Sequence, residues 1–208
     1  MKTSFCIGNG QSRMNVNLSA FDSVGPIYGC NAMYRDNVAD NIVSCNRKIV
    51  DEIIAAGGHT RCNFFTRPQW KRYYKKVPNV QFLPELPFDK SVKQDNSIKW
   101  STGPLALHLA AMQNSDIVVM LGFDLYGIDK QINNVYKGTD NYAASDSKAQ
   151  PYNAWVYQCA KVFELFPNTQ FVQIQYSNFV APEEWMKYEN VMYDQFGSLS
   201  ILLSDLEI

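Results

Sequence analysis

The sequence predicts an α/β protein built on a mainly parallel sheet. Short apolar runs alternate along its 208 residues with segments of helical period. Four of the runs end at Gly8, Asn31, Asn46 and Gly122, residues that suit a strand's exit into a loop. At 46% apolar and 19% charged residues, a chain of this length buries enough surface to fold without a metal or disulfide staple.

In chain order, residues 4–7 read as a buried strand ending in Gly8-Asn9-Gly10. Residues 26–30 and 41–45 are two more short apolar runs. Residues 48–56 place apolar side chains at 49, 50, 53 and 54, a helical spacing that Gly57-Gly58 stops. Residues 60–65 and 80–83 are strand candidates. Between them, 68–77 reads as a helix with Pro in its first turn. Residues 84–99 are polar with Pro84 and Pro87, hence loop. Thr102-Gly103-Pro104 opens a helix that runs to Met112, and Asn114-Ser115 breaks it. Residues 116–121 form an apolar strand after Asp116 and lead into Gly122-Phe123-Asp124-Leu125-Tyr126. Residues 127–150 are polar and without period; a loop this long is usually functional, and a mobile active-site loop is expected. Residues 152–166 are helical, 170–175 form a last strand, and the tail is mixed. Strands alternating with helices imply right-handed crossovers and a parallel sheet. Ligands then bind beyond the carboxyl ends of the strands. The polar exits at 8–12, 31–36, 46–47 and 122–126 are expected to line one cleft.

Composition excludes several classes. A net charge of −1 argues against a dedicated nucleic-acid binder. No apolar stretch approaches the roughly 20 residues that span a bilayer, and the apolar start is too short for a signal peptide. Five cysteines at irregular spacing, with no C-x-x-C pair, read as reduced core thiols of a cytoplasmic protein. His59 and His108 lie at no ligand spacing, so no metal site is expected. His108, between Leu107 and Leu109, reads as a packed helix residue, and His59 as a solvated turn residue.

Four stretches carry candidate chemistry. Gly8, Asn9, Gly10 and Ser12 follow a strand, where glycines let a backbone approach a ligand and free N–H groups hold an anion. Asn31, after the second strand, suits the polar edge of a base or sugar, or a helix cap. Ser101, Thr102 and Gly103 start a helix behind Lys99, which gives a phosphate cradle or an ordinary cap. Asp124 follows a buried strand, and Tyr126, Tyr136 and Tyr142 are phenols in or near the long segment. Arg67, Lys71, Arg72, Lys75 and Lys76, interleaved with Trp70, Tyr73 and Tyr74, form a solvated helix face or a basic acceptor patch.

Taken together, these stretches resemble the bacterial lipooligosaccharide sialyltransferases and their relatives, the motility-accessory glycosyltransferases and the archaeal hydroxymethylpterin pyrophosphokinases. The G-N-G-P-S loop is matched by residues 8–12, with Gln11 for Pro. The C-N-x-x-Y motif is matched by Cys30-Asn31-Ala32-Met33-Tyr34. R-x-T-S-G is matched by Lys99-Trp100-Ser101-Thr102-Gly103, and S-G-x-D-x-Y by residues 121–126. The order holds over about residues 1–175. The resemblance implies a single Rossmann-like, three-layer domain over 1–208, of the GT-A-like nucleotide-sugar kind. It implies a CMP-sugar donor, no required cofactor, and a glycan acceptor ahead of nucleic acid. Gly8, Asn9, Gly10, Ser12, Asn31, Ser101, Thr102 and Gly103 would hold the nucleotide. Lys99, Asp124, Tyr126 and one of Tyr136 or Tyr142 would serve the transfer. The family's His after the D-x-Y motif has no counterpart between Asp124 and Ile208. Two other readings share the fold: an ATP-dependent pyrophosphokinase with magnesium on carboxylates such as Asp124, and a non-catalytic nucleotide or glycan module. Self-association into a homo-oligomer is open.

Overall fold

The computed structural model describes residues 1–88, 91–200 and 204. Eight strands form one sheet: β1 (Thr3–Ile7), β2 (Ile27–Cys30), β3 (Asn41–Ser44), β4 (Asn63–Thr66), β5 (Val80–Phe82), β6 (Ile117–Leu121), β7 (Gln170–Gln175) and β8 (Val191–Gln195). Their order is β5-β4-β3-β2-β1-β6-β7-β8, and every pairing is parallel. The helices are α1 (Arg47–Ala55), the single turn α2 (Lys71–Tyr74), α3 (Thr102–Met112) and α4 (Asn153–Leu165).

The architecture is a three-layer, Rossmann-like α/β sandwich, because each central strand is apolar on both faces. In β1, Phe5 and Ile7 enter one core with Ile49, Val50 and Ile53 of α1. Cys6 enters the other, with Leu105 and Leu109 of α3 and Phe163 of α4. The helices differ accordingly. α1 buries one face, and its start is capped by Asn46, whose side chain accepts from Lys48 N. α3 is apolar all round and nearly fully buried, packed on β1, β2 and β3. His108 lies inside it at 3% exposure, edge-on to Phe166, and burial lowers its pKa to about 4. Cys6, Cys30, Cys45 and Cys159 are buried free thiols. Burial pushes the Cys30 thiol up to about 12, which makes it an inert packing group.

Three expectations need correction. The tail contains β8, an edge strand with Val191 buried but Met192 and Tyr193 exposed, so its pattern lacks the apolar run of the central strands. Residues 68–77 hold only a 3-10 turn (Pro68–Trp70) and α2. The crossovers from β1 to β3 use no α-helix. Two 3-10 turns (Gln11–Arg13 and Leu18–Phe21) separate β1 from β2, and one (Asn31–Asp36) separates β2 from β3. Residues 127–150 contain no named helix or strand. They lie along the sheet's carboxyl edge, with Val135 N donating to Asn9 O at 2.8 Å. Among the described residues, no helix is long and apolar enough to cross a membrane.

Candidate functional site

The chain runs outward from β1 to β5, then returns to the other side of β1 as β6. Such a reversal of strand order is where an open parallel sheet places a ligand crevice beyond its carboxyl ends. Glycines let the two strand ends meet backbone to backbone. Gly8 N donates to Leu121 O at 2.7 Å, and Gly10 N to Gly122 O at 2.8 Å. A Cβ on Gly8 would lie 2.4 Å from Gly122 O, and Gly122 itself sits at φ +68°. A Cβ on Gly10 would lie 2.3 Å from the Asp124 carboxyl carbon.

Asp124 is 4% exposed. Its Oδ2 accepts from Ser12 N at 3.0 Å, and its Oδ1 from Ser12 Oγ and from Gln175 Nε2 at 3.2 Å. A carboxylate with three protein donors organises the loop after β1 and has little capacity left for a ligand.

A cavity of about 480 Å³ opens beside this junction, a size suited to a small ligand. Its opposite wall comes from the exits of β2, β3 and β4 and the start of α3. Asn31 Oδ1 accepts from Ser44 Oγ at 3.1 Å and from Thr102 Oγ1 at 3.3 Å. Asn46 Oδ1 accepts from Lys48 N, and Asn134 Oδ1 from Tyr136 N. All three line the cavity: Asn31 has both acceptor positions of its carbonyl oxygen in use and turns its amide N–H groups to a ligand, while Asn46 and Asn134 each have one acceptor position in use and offer N–H groups and a second acceptor position. Ser101 caps α3 without a side-chain bond to the helix. That leaves the first-turn N–H groups of Thr102 and Gly103, at the positive end of the helix dipole, facing the cavity. Lys99 and Arg67 add two cations to this wall.

This wall is braced from behind. Arg67 donates through both terminal nitrogens to the carbonyls of Ile98 and Trp100. Gln158 takes Ser101 N at 2.9 Å and donates to Lys99 O at 3.1 Å, and Trp155 Nε1 donates to Ser101 Oγ at 2.6 Å. The segment bearing Lys99 and Ser101 is thus held between β4 and α4.

Of the residues singled out by sequence, Gly8, Asn9, Gly10, Asn31, Lys99, Ser101, Thr102, Gly103, Asp124 and Tyr126 line this one cavity. Ser12 lies behind Asp124. Burial raises the Tyr126 phenol to about 12, so at neutral pH it is a neutral donor. Tyr136 and Tyr142 stand outside the lining. Tyr136 donates to Asp36 at 2.7 Å and accepts from Arg13 at 2.8 Å. Tyr142 accepts from Asn9 Nδ2 and Ala32 N, each at 3.2 Å. Burial pushes both phenols up. They fasten residues 127–150 to the exits of β1 and β2, and Tyr142 orients Asn9.

Sequence reasoning missed Arg67, Asn133, Asn134, Tyr152 and Trp155 as lining residues. Arg67 was legible from its position directly after β4, by the strand-exit rule that pointed to Asn31. Trp155 carried no local signal, because it reaches the site only through the packing of α4 on α3. Neither histidine lines the cavity. Among the described residues, no group of three His, Cys, Asp or Glu is placed to hold a metal ion.

No family model matches the chain, and no curated protein does. Among solved structures, a point mutant of the α-2,3/8-sialyltransferase CstII is similar, with a TM-score of 0.49 at 12% identity. The match covers 83% of this chain and 81% of that one. At this level of similarity, function has to be argued from the cavity itself.

Proposed function

We propose that the chain is a glycosyltransferase that binds a nucleotide-activated sugar of the cytidine monophosphate class in this cavity and transfers the sugar to an acceptor hydroxyl. The observation that supports this is the donor character of the second wall. Lys99, two helix-start N–H groups and the amides of Asn31 and Asn46, backed by the charge of Arg67, line a space whose one carboxylate, Asp124, accepts from Ser12 and Gln175. Such a wall suits a phosphate joined to groups rich in acceptor oxygens. In this reading Thr102 N, Gly103 N and Lys99 hold the phosphate, and Asn31 takes a nucleotide oxygen or ring nitrogen. Gly8 and Gly10 let the backbone approach the ligand, with Ser12 holding Asp124 behind them.

In the transfer, the bond from the sugar's anomeric carbon to the phosphate oxygen breaks as the acceptor oxygen bonds to that carbon. The acceptor hydroxyl passes its proton to bulk water, so the products are the glycoside, the nucleoside monophosphate and a solvated proton. Negative charge grows on the departing phosphate, where Lys99 and the neutral Tyr126 hydroxyl stabilise it. The same donor set favours this reading over an ATP–magnesium reaction, because Asp124 is the sole acid lining the cavity and its oxygens accept from Ser12 and Gln175.

A thermal-shift series tests this with cytidine, uridine, adenosine and guanosine nucleotides, each with and without magnesium. Cytidine monophosphate is expected to raise the melting temperature without magnesium, and Asn31→Ala to abolish the shift. A shift with ATP and magnesium alone, or none with any nucleotide, overturns the reading.

A further inference from the structure

Residues 67–76 hold five of the chain's 19 Lys and Arg and none of its 20 Asp and Glu. The fold adds Arg47, at the start of α1, to the same face, with the exposed Lys48 next to it in sequence. Arg47 lies over the Tyr73 ring at 4.1 Å from its centre, and Arg72 over the same ring at 4.6 Å. Arg72 also donates to the Tyr73 hydroxyl at 2.5 Å. One half-exposed ring, at 39% exposure, therefore holds two guanidinium groups. This matters because surface cations are normally free to reorient, and ordering them costs entropy on binding. Lys48, Lys71, Lys75 and Lys76 are exposed around the pair and have no ion-pair partner among the described residues. Asp51 stands 3.8 Å from Arg47 and accepts from Tyr74.

The patch is continuous with the cavity. Asn46, next to Arg47, lines it, as does Arg67 at the patch's other end. Trp70, between Arg67 and Tyr73, donates its ring N–H to the carbonyl of Cys45, another lining residue. A linear polyanion lying along α2 would bring one end to the cavity mouth.

We propose that this face is the docking site for an acidic glycan, a chain bearing carboxylates on successive sugars, and that it delivers the acceptor end to the cavity. The assignment rests on the glycosyltransferase reading. Planar guanidinium forks match carboxylates bidentately. Single-stranded nucleic acid needs free aromatic faces on which bases stack, whereas the faces of Tyr73 carry guanidinium groups. A membrane surface needs exposed apolar side chains to insert. Tyr73 is the one large exposed apolar residue among residues 46–76.

The experiment is fluorescence anisotropy with labelled hexagalacturonate, with maltohexaose, a six-residue oligothymidylate and phosphatidylserine vesicles as parallel probes. The wild-type chain is expected to bind hexagalacturonate with an affinity that falls steeply with salt, and to ignore maltohexaose. Arg47→Ala with Arg72→Ala should weaken binding by tenfold or more, on the order of one charged contact. Tyr73→Leu should weaken it several-fold at unchanged net charge, because the pair loses its scaffold. Unaltered circular dichroism and melting temperature show that the variants fold. Equal or tighter binding of the oligonucleotide or the vesicles, or full binding by the double variant, overturns the proposal. The cytidine shift, read on the same variants, separates the two assignments. If it persists where glycan binding is lost, both stand. If glycan binds and no nucleotide shifts the protein, the docking face stands and its role in transfer falls.

Discussion

The two walls of the cavity are built from the same kind of strand exit and have opposite hydrogen-bond economies. At the β1/β6 wall the strand-end backbone N–H groups and the Asp124 carboxylate are satisfied inside the protein, while Asn9 Oδ1 and Gln175 Oε1 are buried without a hydrogen-bond partner among the described residues. Gly8 and Gly10 bond to β6 and the residue after it, and Asp124 takes two donors from Ser12 and one from Gln175. At the β2/β3/α3 wall the side-chain carbonyl oxygens of Asn31 and Asn46 each accept inside the protein and their N–H groups are left over. A buried polar group without a partner costs about 1–3 kcal/mol, so the second wall keeps its donors at the solvent-filled cavity. Asp124, whose strand-end position suggests chemistry, is held on the β1/β6 wall by Ser12 and Gln175 and also lines the cavity. The less conspicuous Asn31, Asn46 and Lys99 line the cavity from the other wall.

The sharpest way to break this division is to disturb the β1/β6 wall. Gly8→Ala places a methyl 2.4 Å from a backbone carbonyl, and neither strand can retreat without losing ladder bonds. The expected loss is roughly 3 kcal/mol or more, measured by urea unfolding. A loss below about 0.5 kcal/mol, the range of neutral surface changes, would mean that the junction is loose.

Helix α3 carries the comparison within one element: its first turn faces the cavity and its body is core. His108 tests the body. Its pKa is lowered to about 4 by burial, against 6.5 unfolded. The unfolded chain therefore binds the extra proton first, and stability falls as pH drops from 6.5 toward 4. The contribution lost is roughly 3 kcal/mol at the acid end. His108→Gln should flatten that slope in denaturation series between pH 4 and 7, while carboxylates still cause loss at lower pH. An unchanged slope would place the acid sensitivity elsewhere.

A milder probe of the β1/β6 wall is Asp124→Asn, which keeps the shape but turns one acceptor into a donor facing Ser12 or Gln175. About 2 kcal/mol of stability should go, as read by the urea midpoint. A stable Asp124→Asn variant that binds nucleotide and cannot transfer would instead return Asp124 to the chemistry.

The two walls also differ in how legible they were in the sequence. Glycines and an Asp at strand ends announce themselves, and the parallel sheet follows from apolar runs bounded by turn residues. Seven of the eight strands carry that pattern, and β8 does not because one of its faces is exposed. The second wall was half legible. Asn31 and the Ser101-Thr102-Gly103 cap are local signals. The grip of Arg67 on the 98–100 carbonyls depends on a contact 31 residues away, and Trp155 arrives from 54 residues away. Residues 127–150 divide in the same way, with Asn133 and Asn134 lining the cavity and the tyrosines fastening the segment to the strand exits. A polar segment with phenols looks like an active-site loop, and in this one Tyr136 and Tyr142 point inward to Asp36, Arg13 and Asn9.

The smallest expected effect on the fold is the most informative about the ligand-facing wall. Lys99 is exposed, lines the cavity and makes no ion pair among the described residues. Lys99→Ala should change stability by under about 0.5 kcal/mol and weaken cytidine monophosphate about tenfold, the worth of one charge-assisted contact. Isothermal titration at two salt concentrations measures both the loss and its ionic part. Lys99→Arg, which puts a planar fork on a phosphate, should bind at least as tightly as the native residue. If Lys99→Ala costs stability as Asp124→Asn does, the wall is framework after all. If the alanine variant binds normally, the phosphate sits on the α3 N–H groups alone, and the anchoring is dipolar with no cation required.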